Sequence, residues 1–367
     1  MLIQSIETKS VAIPLTKPFI TALRTVHTAY AVYVKITGDN GFVGWGEAPP
    51  THVITGDSLG SITYAIEEVI APRLIGKDIR QREMVFSVLK QSMVGNTSAK
   101  AAVDMAIHDL FGQLAEMPLY QLLGGYRHEI ETDFTVSVND AAEMADDAER
   151  YLANGFNVLK VKVGIGEINE DIARIKAIRK RIGSATKIRL DANQGWNPKA
   201  AVRAIRLMED AGLDIELIEQ PVHADDIEGL KYVTENTLTP IMADESIFST
   251  QDALRVLGLR AVDLINIKLM KSGGIHEAIK INALAQSYGV ECMVGSMIET
   301  KLGITAAAHF AASQPNVTRF DFDAPLMLAE DIVGGGIQYE GRVIRLPKTP
   351  GLGLDREQME RIGKGVN

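Results

Sequence analysis

The strongest constraint on this chain is an alternation of strand and helix that begins near residue 130. The apolar runs are TDFTVSV (132–138), NVLKVKV (157–163), KIRLDAN (187–193), IELIEQ (215–220), PIMADE (240–245), VDLINIK (262–268), VECMVGS (290–296) and VTRFDFD (317–323). Between them, AEMADDAERYLANG, DIARIKAIRKRIG and PKAAVRAIRLMEDAG carry helical periodicity. Polar residues recur at the ends of the runs: Lys162, Asp191, Glu219, Asp244, Lys268 and Ser296 follow at intervals of 29, 28, 25, 24 and 28 residues. One βα unit takes that length when about 250 residues make eight of them. An α/β fold with a TIM-type barrel is expected, because such barrels collect their chemistry at the C-terminal ends of the strands. An open doubly wound sheet is the alternative, and so many polar strand ends favour the barrel.

After the eighth strand, APLMLAEDIVGGGIQYEGRVIRL carries strand and turn signals in place of an amphipathic helix. Seven helices are therefore expected, giving a (β/α)7β barrel over 126–325 whose tail, 326–367, returns to the first domain. Residues 1–125 read as that α+β domain. Two alternating runs flank Asp39-Asn40-Gly41, a hairpin turn. Helical periodicity follows in SITYAIEEVIAPRLIG and AKAAVDMAIHDLFGQLAEM. The polar segments Phe19–Ala29 and Thr51–Asp57 read as mobile loops.

Bulk properties narrow the partners. A hydrophobic share of 46% and a charged share of 23% belong to a soluble globular protein. The net charge of −9 argues against a nucleic-acid or anionic-membrane surface. Cys292 is the single cysteine, so no intrachain disulfide framework exists, which suits a reducing compartment. MLIQSIETKS lacks a basic stretch followed by an apolar one, and no apolar run is long enough to cross a bilayer. A cytoplasmic protein, by default a symmetric homo-oligomer, is expected.

The strand ends carry the chemistry. Asp191, Glu219 and Asp244 close three consecutive strands and so sit side by side at the barrel mouth. Three uncompensated anions repel and are costly to desolvate, so a hard divalent cation is expected among them. An oxygen-only donor set points to Mg²⁺, with Mn²⁺ as a substitute. In VLKVKVG, Lys160 and Lys162 are two residues apart and share one strand face, while Leu159, Val161 and Val163 cover the other. Lys268 ends the sixth strand, diametrically opposite the second. A substrate at the centre would have an ammonium on each side. A proton on carbon beside a carboxylate is weakly acidic, so its anion needs stabilising as an enediolate by the cation. A base near neutral pH needs its pKa tuned there, and Lys160 with the cation lowers that of Lys162. One lysine would remove the proton and the other return it on the opposite face, inverting the carbon.

Asp321 and Asp323, in FDFD, share a face at the end of the eighth strand. Two close carboxylates without another metal partner suit a substrate ammonium; a solvated acidic turn before Pro325 is the alternative reading. An ammonium one residue away from the reacting carbon means a dipeptide. Arg24, in FITALRTVHT, could pair with a side-chain carboxylate of that substrate, or be an exposed loop arginine.

In LKVKVG, RLDANQGW, ELIEQP, IMADES and DLINIKLMKSGG, in that order, the chain resembles the mandelate racemase/muconate-lactonizing group of the enolase superfamily along nearly its whole length. Enolase-superfamily sites use a Lys or His base with Mg²⁺. The resemblance implies an α+β cap over a (β/α)7β barrel, Mg²⁺ on Asp191, Glu219 and Asp244, and Lys162 and Lys268 as acid/base catalysts. It further implies that Lys162 serves the D-residue and Lys268 the L-residue. The aspartate pair resembles that of the dipeptide epimerases in the superfamily, whose substrate-lining positions fall here on Thr135, Ser296 and Ile298. PLTKPFITALRT and GEAPPTHVITGD resemble the members acting on L-Ala-D/L-Glu, which implies a part in murein peptide metabolism. Epimerases of other dipeptides, N-acylamino-acid racemases and cycloisomerases are the alternatives within the superfamily.

Overall fold

Glycines let the first domain close on itself. In the computed structural model, which describes residues 1–364, strands β1 (Ile3–Ile20), β2 (Thr25–Gly38) and β3 (Val43–Ala48) form an antiparallel sheet. The helix Thr97–Leu114 lies across it so closely that a Cβ on Gly44 or Gly46 would strike the carbonyl oxygens of Ala106 and Ala102. Behind that contact, Ile3, Val32, Val34, Ile66, Leu74, Val103 and Ile107 form one buried cluster.

The hairpin between β1 and β2 differs from the expected loop over 19–29. Phe19 pairs with Val26 and Ile20 with Thr25, so only Thr21–Arg24 turns. The Thr21 hydroxyl accepts from the Leu23 and Arg24 amides (3.2 and 3.3 Å), and the Thr21 amide donates to the Arg24 carbonyl (3.0 Å). β-branched Thr25, Val26 and Thr28 favour an extended chain however polar the segment is. The second segment is a turn: the Thr51 carbonyl accepts from the amides of Ile54, Thr55 and Gly56.

A short strand, β4 (Glu129–Glu131), leads into eight parallel ones: β5 (Phe134–Val136), β6 (Val158–Lys162), β7 (Lys187–Asp191), β8 (Ile215–Glu219), β9 (Ile241–Ala243), β10 (Leu264–Lys268), β11 (Glu291–Gly295) and β12 (Val317–Phe320). They pair in sequence order, and a helix of nine or more residues separates each from the next, seven in all. Outward residues such as Leu159, Val161 and Val163 pack under these helices, each contributing about 1.5–3 kcal/mol. Leu217, Met242, Leu264 and Met293 form a separate cluster on the inner face.

The backbone ladder does not continue from β12 to β5. Those edges meet through the Asp133 amide on the Phe320 carbonyl (3.2 Å), the Phe322 amide on Thr132 Oγ1 (2.8 Å) and the Thr135 amide on Asp323 Oδ2 (2.6 Å). Beyond β12 come β13 (Gln338–Glu340) and β14 (Val343–Arg345), and β14 pairs with β4. The tail also reaches the first domain, at Pro14, Asp109 and Lys35. Among the described residues no helix is long and apolar enough to cross a membrane.

Candidate active site

Strand register sets the acid–base geometry. Lys162 is level with Asp191, and Asp191 with Glu219. Lys162 Nζ lies 2.6 Å from Asp191 Oδ2. Lys160 Nζ reaches Glu219 at 2.7 Å, Asp321 at 2.8 Å and Asp191 at 3.2 Å. On β10, Lys268 Nζ lies 2.7 Å from Asp244 Oδ2. All three lysines are buried, at 1%, 6% and 5% exposure for Lys160, Lys162 and Lys268.

Burial and charge compete here. Burial raises the pKa of Asp191, but Lys162, Lys160 and Lys268 bring it down to about 2. Asp244 is likewise held well below the usual range against burial, by Lys268 and Lys271. For Glu219, burial and the neighbouring Asp191 charge win, and its pKa rises to about 7. Burial works against the charges of Lys160 and Lys268, yet Asp321 holds the first raised and Asp244 the second.

One cavity at the barrel mouth brings most of the sequence-derived residues together. Lys160, Lys162, Lys268 and Thr135 line it from the strands, Ser296, Ile298, Asp321 and Asp323 from the strand-end loops, and Arg24 from the hairpin tip above. The Phe19 ring stands 5.6 Å from Lys162 Nζ. Arg24 is half-buried, has no acidic partner among the described residues, and its pKa is lowered by burial. Asp323 is its counterpart: buried, in no ion pair among the described residues, and raised to about 7 by burial and by the Asp321 charge. His27 and His52 lie in an outer groove, not in the cavity.

Asp191, Glu219 and Asp244 sit behind the lysines, fully buried. Among the described residues no three His, Cys, Asp or Glu side chains converge on one point, because each carboxylate turns toward an ammonium. The donor set nonetheless fits a hard divalent ion. Glu219 Oε2 and Asp244 Oδ1 have ammoniums at 2.7 and 2.6 Å, but the directions are wrong for hydrogen bonds. These contacts neutralise charge and leave oxygen lone pairs for a cation. Oxygen-only, acidic and buried, the set matches Mg²⁺ chemistry.

Several neighbours were not singled out from the sequence. Asn193 lines the cavity and donates to Glu245 (3.3 Å). Asn266 donates to Glu219 Oε1 (2.7 Å), and Lys271 is buried against Asp244. Alternation could have found Asn266, two residues before Lys268 and on the same face. Lys271 lies beyond the strand, where alternation no longer says which way a side chain points.

A cap over a (β/α)7β barrel, with carboxylates on three adjacent strand ends and lysines on opposed strands, defines a superfamily enzyme of the enolase type. The chain belongs to the mandelate racemase/muconate lactonizing enzyme family: the family's N-terminal domain model matches residues 4–124, and the enolase C-terminal domain-like model matches residues 143–359. Within it, the chain is 64% identical to the L-Ala-D/L-Glu epimerase of Bacillus subtilis (strain 168), over 96% of this chain and 97% of that protein. A substrate-liganded structure of the Bacillus subtilis L-Ala-D/L-Glu epimerase superposes with a TM-score of 0.96 at 64% identity, over 96% of this chain and 99% of that one. A dipeptide epimerase from Enterococcus faecalis V583, complexed with Mg and L-Leu-L-Tyr, superposes at 0.94 with 46% identity, over 97% of this chain and 100% of that one.

Proposed function

We propose that the protein is a Mg²⁺-dependent dipeptide epimerase that inverts the C-terminal α-carbon of L-Ala-L-Glu and L-Ala-D-Glu, with a part in murein peptide metabolism. The observation that carries the reading is the pair of lysines, Lys162 and Lys268, on opposed strands of one cavity. Arg24 and Asp323 add a polarity. A cation without an anion and an anion without a cation complement a substrate with a side-chain carboxylate and a terminal ammonium. An N-acyl amino acid would leave Asp323 unpaired, which disfavours the racemase alternative.

Asp191, Glu219 and Asp244 would hold the metal, for which Mn²⁺ can substitute. When bound, it supplies Lewis-acid stabilisation of the charge that builds on the substrate carboxylate. Asp323 and Asp321 orient the ammonium, Arg24 holds the glutamyl side chain, and the backbone and side chains at Thr135, Ser296 and Ile298 close the walls. Lys268 takes the α-proton from the L-residue and Lys162 delivers one to the other face; the D-residue runs the reverse course. Lys160, beside the reacting carboxylate, supplies positive charge where negative charge develops.

The test follows the glutamyl α-proton by NMR in D₂O. Lys162→Ala should exchange L-Ala-L-Glu without inversion, and Lys268→Ala should do so with L-Ala-D-Glu. A lysine variant that still epimerises near the wild-type rate would mean one base serves both faces, and the two-base reading would be wrong.

A further inference from the structure

The cap reaches into the barrel at one point that the chemistry above does not use. Glu47, next to last in β3, is fully buried and accepts from the Thr300 amide (2.8 Å), the Thr300 hydroxyl (2.6 Å) and the Gly303 amide (2.7 Å). Thr300 caps the helix Lys301–Ser313, so a cap carboxylate occupies a barrel helix start, where backbone N–H groups lack partners and favour an anion. The segment that enters this helix is Ser296–Thr300, and its Ser296, Met297 and Ile298 line the substrate cavity. Inside it, Glu299 Oε1 accepts from the Met297 amide (2.8 Å), while Glu299 Oε2 is buried with no partner. The two carboxylates bear on the same spot. A Cβ placed on Gly303 would collide with Glu299 Oε2 and lie 3.2 Å from Glu47 Oε2.

We propose that Glu47 is a positioning residue for the epimerisation, its cap-borne carboxylate fixing the substrate-lining segment Ser296–Thr300 while Glu299, near it, holds a proton. The inference rests on the epimerase reading of the cavity. A buried, unpartnered carboxylate oxygen near a second carboxylate favours the protonated, neutral form of its group. Burial, and then the Glu47 charge, push the Glu299 pKa up to about 8, and burial raises Glu47 too. The other titratable and charged groups facing the pair are Tyr33 of β2, whose hydroxyl meets Thr300 Oγ1 (2.7 Å), Lys268 of β10, and Asp331 of the tail, which pairs with Lys301. Tyr33 is pushed well above its ordinary range by burial, and Lys268 is raised by Asp244 against burial, so both keep their protons while Glu299 loses its own. Once Glu299 loses its proton, two buried anions repel and Glu299 Oε2 has no donor. The segment then lets go of the substrate.

The experiment measures kcat and KM for L-Ala-L-Glu in Glu47→Gln, with circular dichroism to confirm the fold and Mn²⁺ affinity by electron paramagnetic resonance. We expect KM to rise about tenfold or more, kcat to fall less than about threefold, and Mn²⁺ affinity to stay unchanged. A folded variant with wild-type KM would overturn the assignment. Glu299→Gln supplies a second arm that does not depend on Glu47→Gln folding. The substrate's own amine titrates near pH 8 and raises KM in every variant, but the additional alkaline rise in wild type should vanish in Glu299→Gln. Identical profiles would remove the Glu299 proton from the proposal. If wild type turned over no dipeptide at all, the epimerase reading itself would fail, and the result could not be mistaken for either outcome.

Discussion

Half-buried Arg24 meets no carboxylate among the described residues, which supports the proposal that its guanidinium takes an anion arriving with the ligand. Arg24→Met should cost L-Ala-L-Glu roughly 10–100-fold in kcat/KM, the equivalent of a charge-assisted bond of about 1.5–3 kcal/mol. L-Ala-L-Met should lose several-fold less. Steady-state kinetics on both dipeptides decides it: equal losses would assign Arg24 to shaping the hairpin tip. At this scale, the sequence makes residues legible when a strand carries them. Alternation puts Lys160 and Lys162 on one face, and register lines Asp191 up with Glu219. Residues whose partners come from far along the chain escape that logic. Glu47 meets Thr300 across 253 residues, and nothing in GWGEAPP says so.

The eight strands and seven helices were readable because apolar runs of strand length alternate with helical periods. The observed strands are shorter than those runs. The run 317–323, for example, yields β12 over Val317–Phe320 only, and its aspartates lie beyond the ladder. The β1–β2 hairpin tip was not readable, since polarity signals exposure but does not distinguish a loop from a projecting ribbon. Caps could be read locally. Asp140 opens the helix Ala141–Ala153, its Oδ1 accepting from the Ala142 and Glu143 amides (both 2.9 Å). Asp140→Ala should lower stability by about 1 kcal/mol while leaving kcat/KM as it is, because this helix packs outside the barrel. Denaturant titration with parallel kinetics checks both. A drop in activity without a drop in stability would tie that helix to the site instead.

The whole molecule should also respond to pH through His309, fully buried on the helix Lys301–Ser313 and accepting from the Tyr120 amide at Nδ1 (2.8 Å). Burial holds its pKa down at about 3, below the unfolded value of about 6.5. The unfolded chain therefore takes up this proton first. The neutral ring's contribution is complete above about pH 6.5 and is lost as pH falls toward 3, by about 1.4 kcal/mol per unit. Unfolding curves for wild type and His309→Gln should show a stability gap that closes between about pH 6.5 and 4.5; a constant gap would contradict a ring kept neutral by burial. The meeting of β12 and β5 has a consequence of another kind. A barrel whose first and last staves are joined by one backbone bond and two side-chain bonds is a bracelet with a clasp, and Asp323, the proposed anchor of the ammonium, is part of the catch. A dipeptide seated there should tighten the clasp, and hydrogen exchange at the Thr135 amide should slow when the site is saturated. Unchanged exchange would mean that the ring closes independently of its ligand. If it slows, holding the dipeptide and keeping the bracelet fastened are coupled, and product leaves a barrel that is looser at its seam.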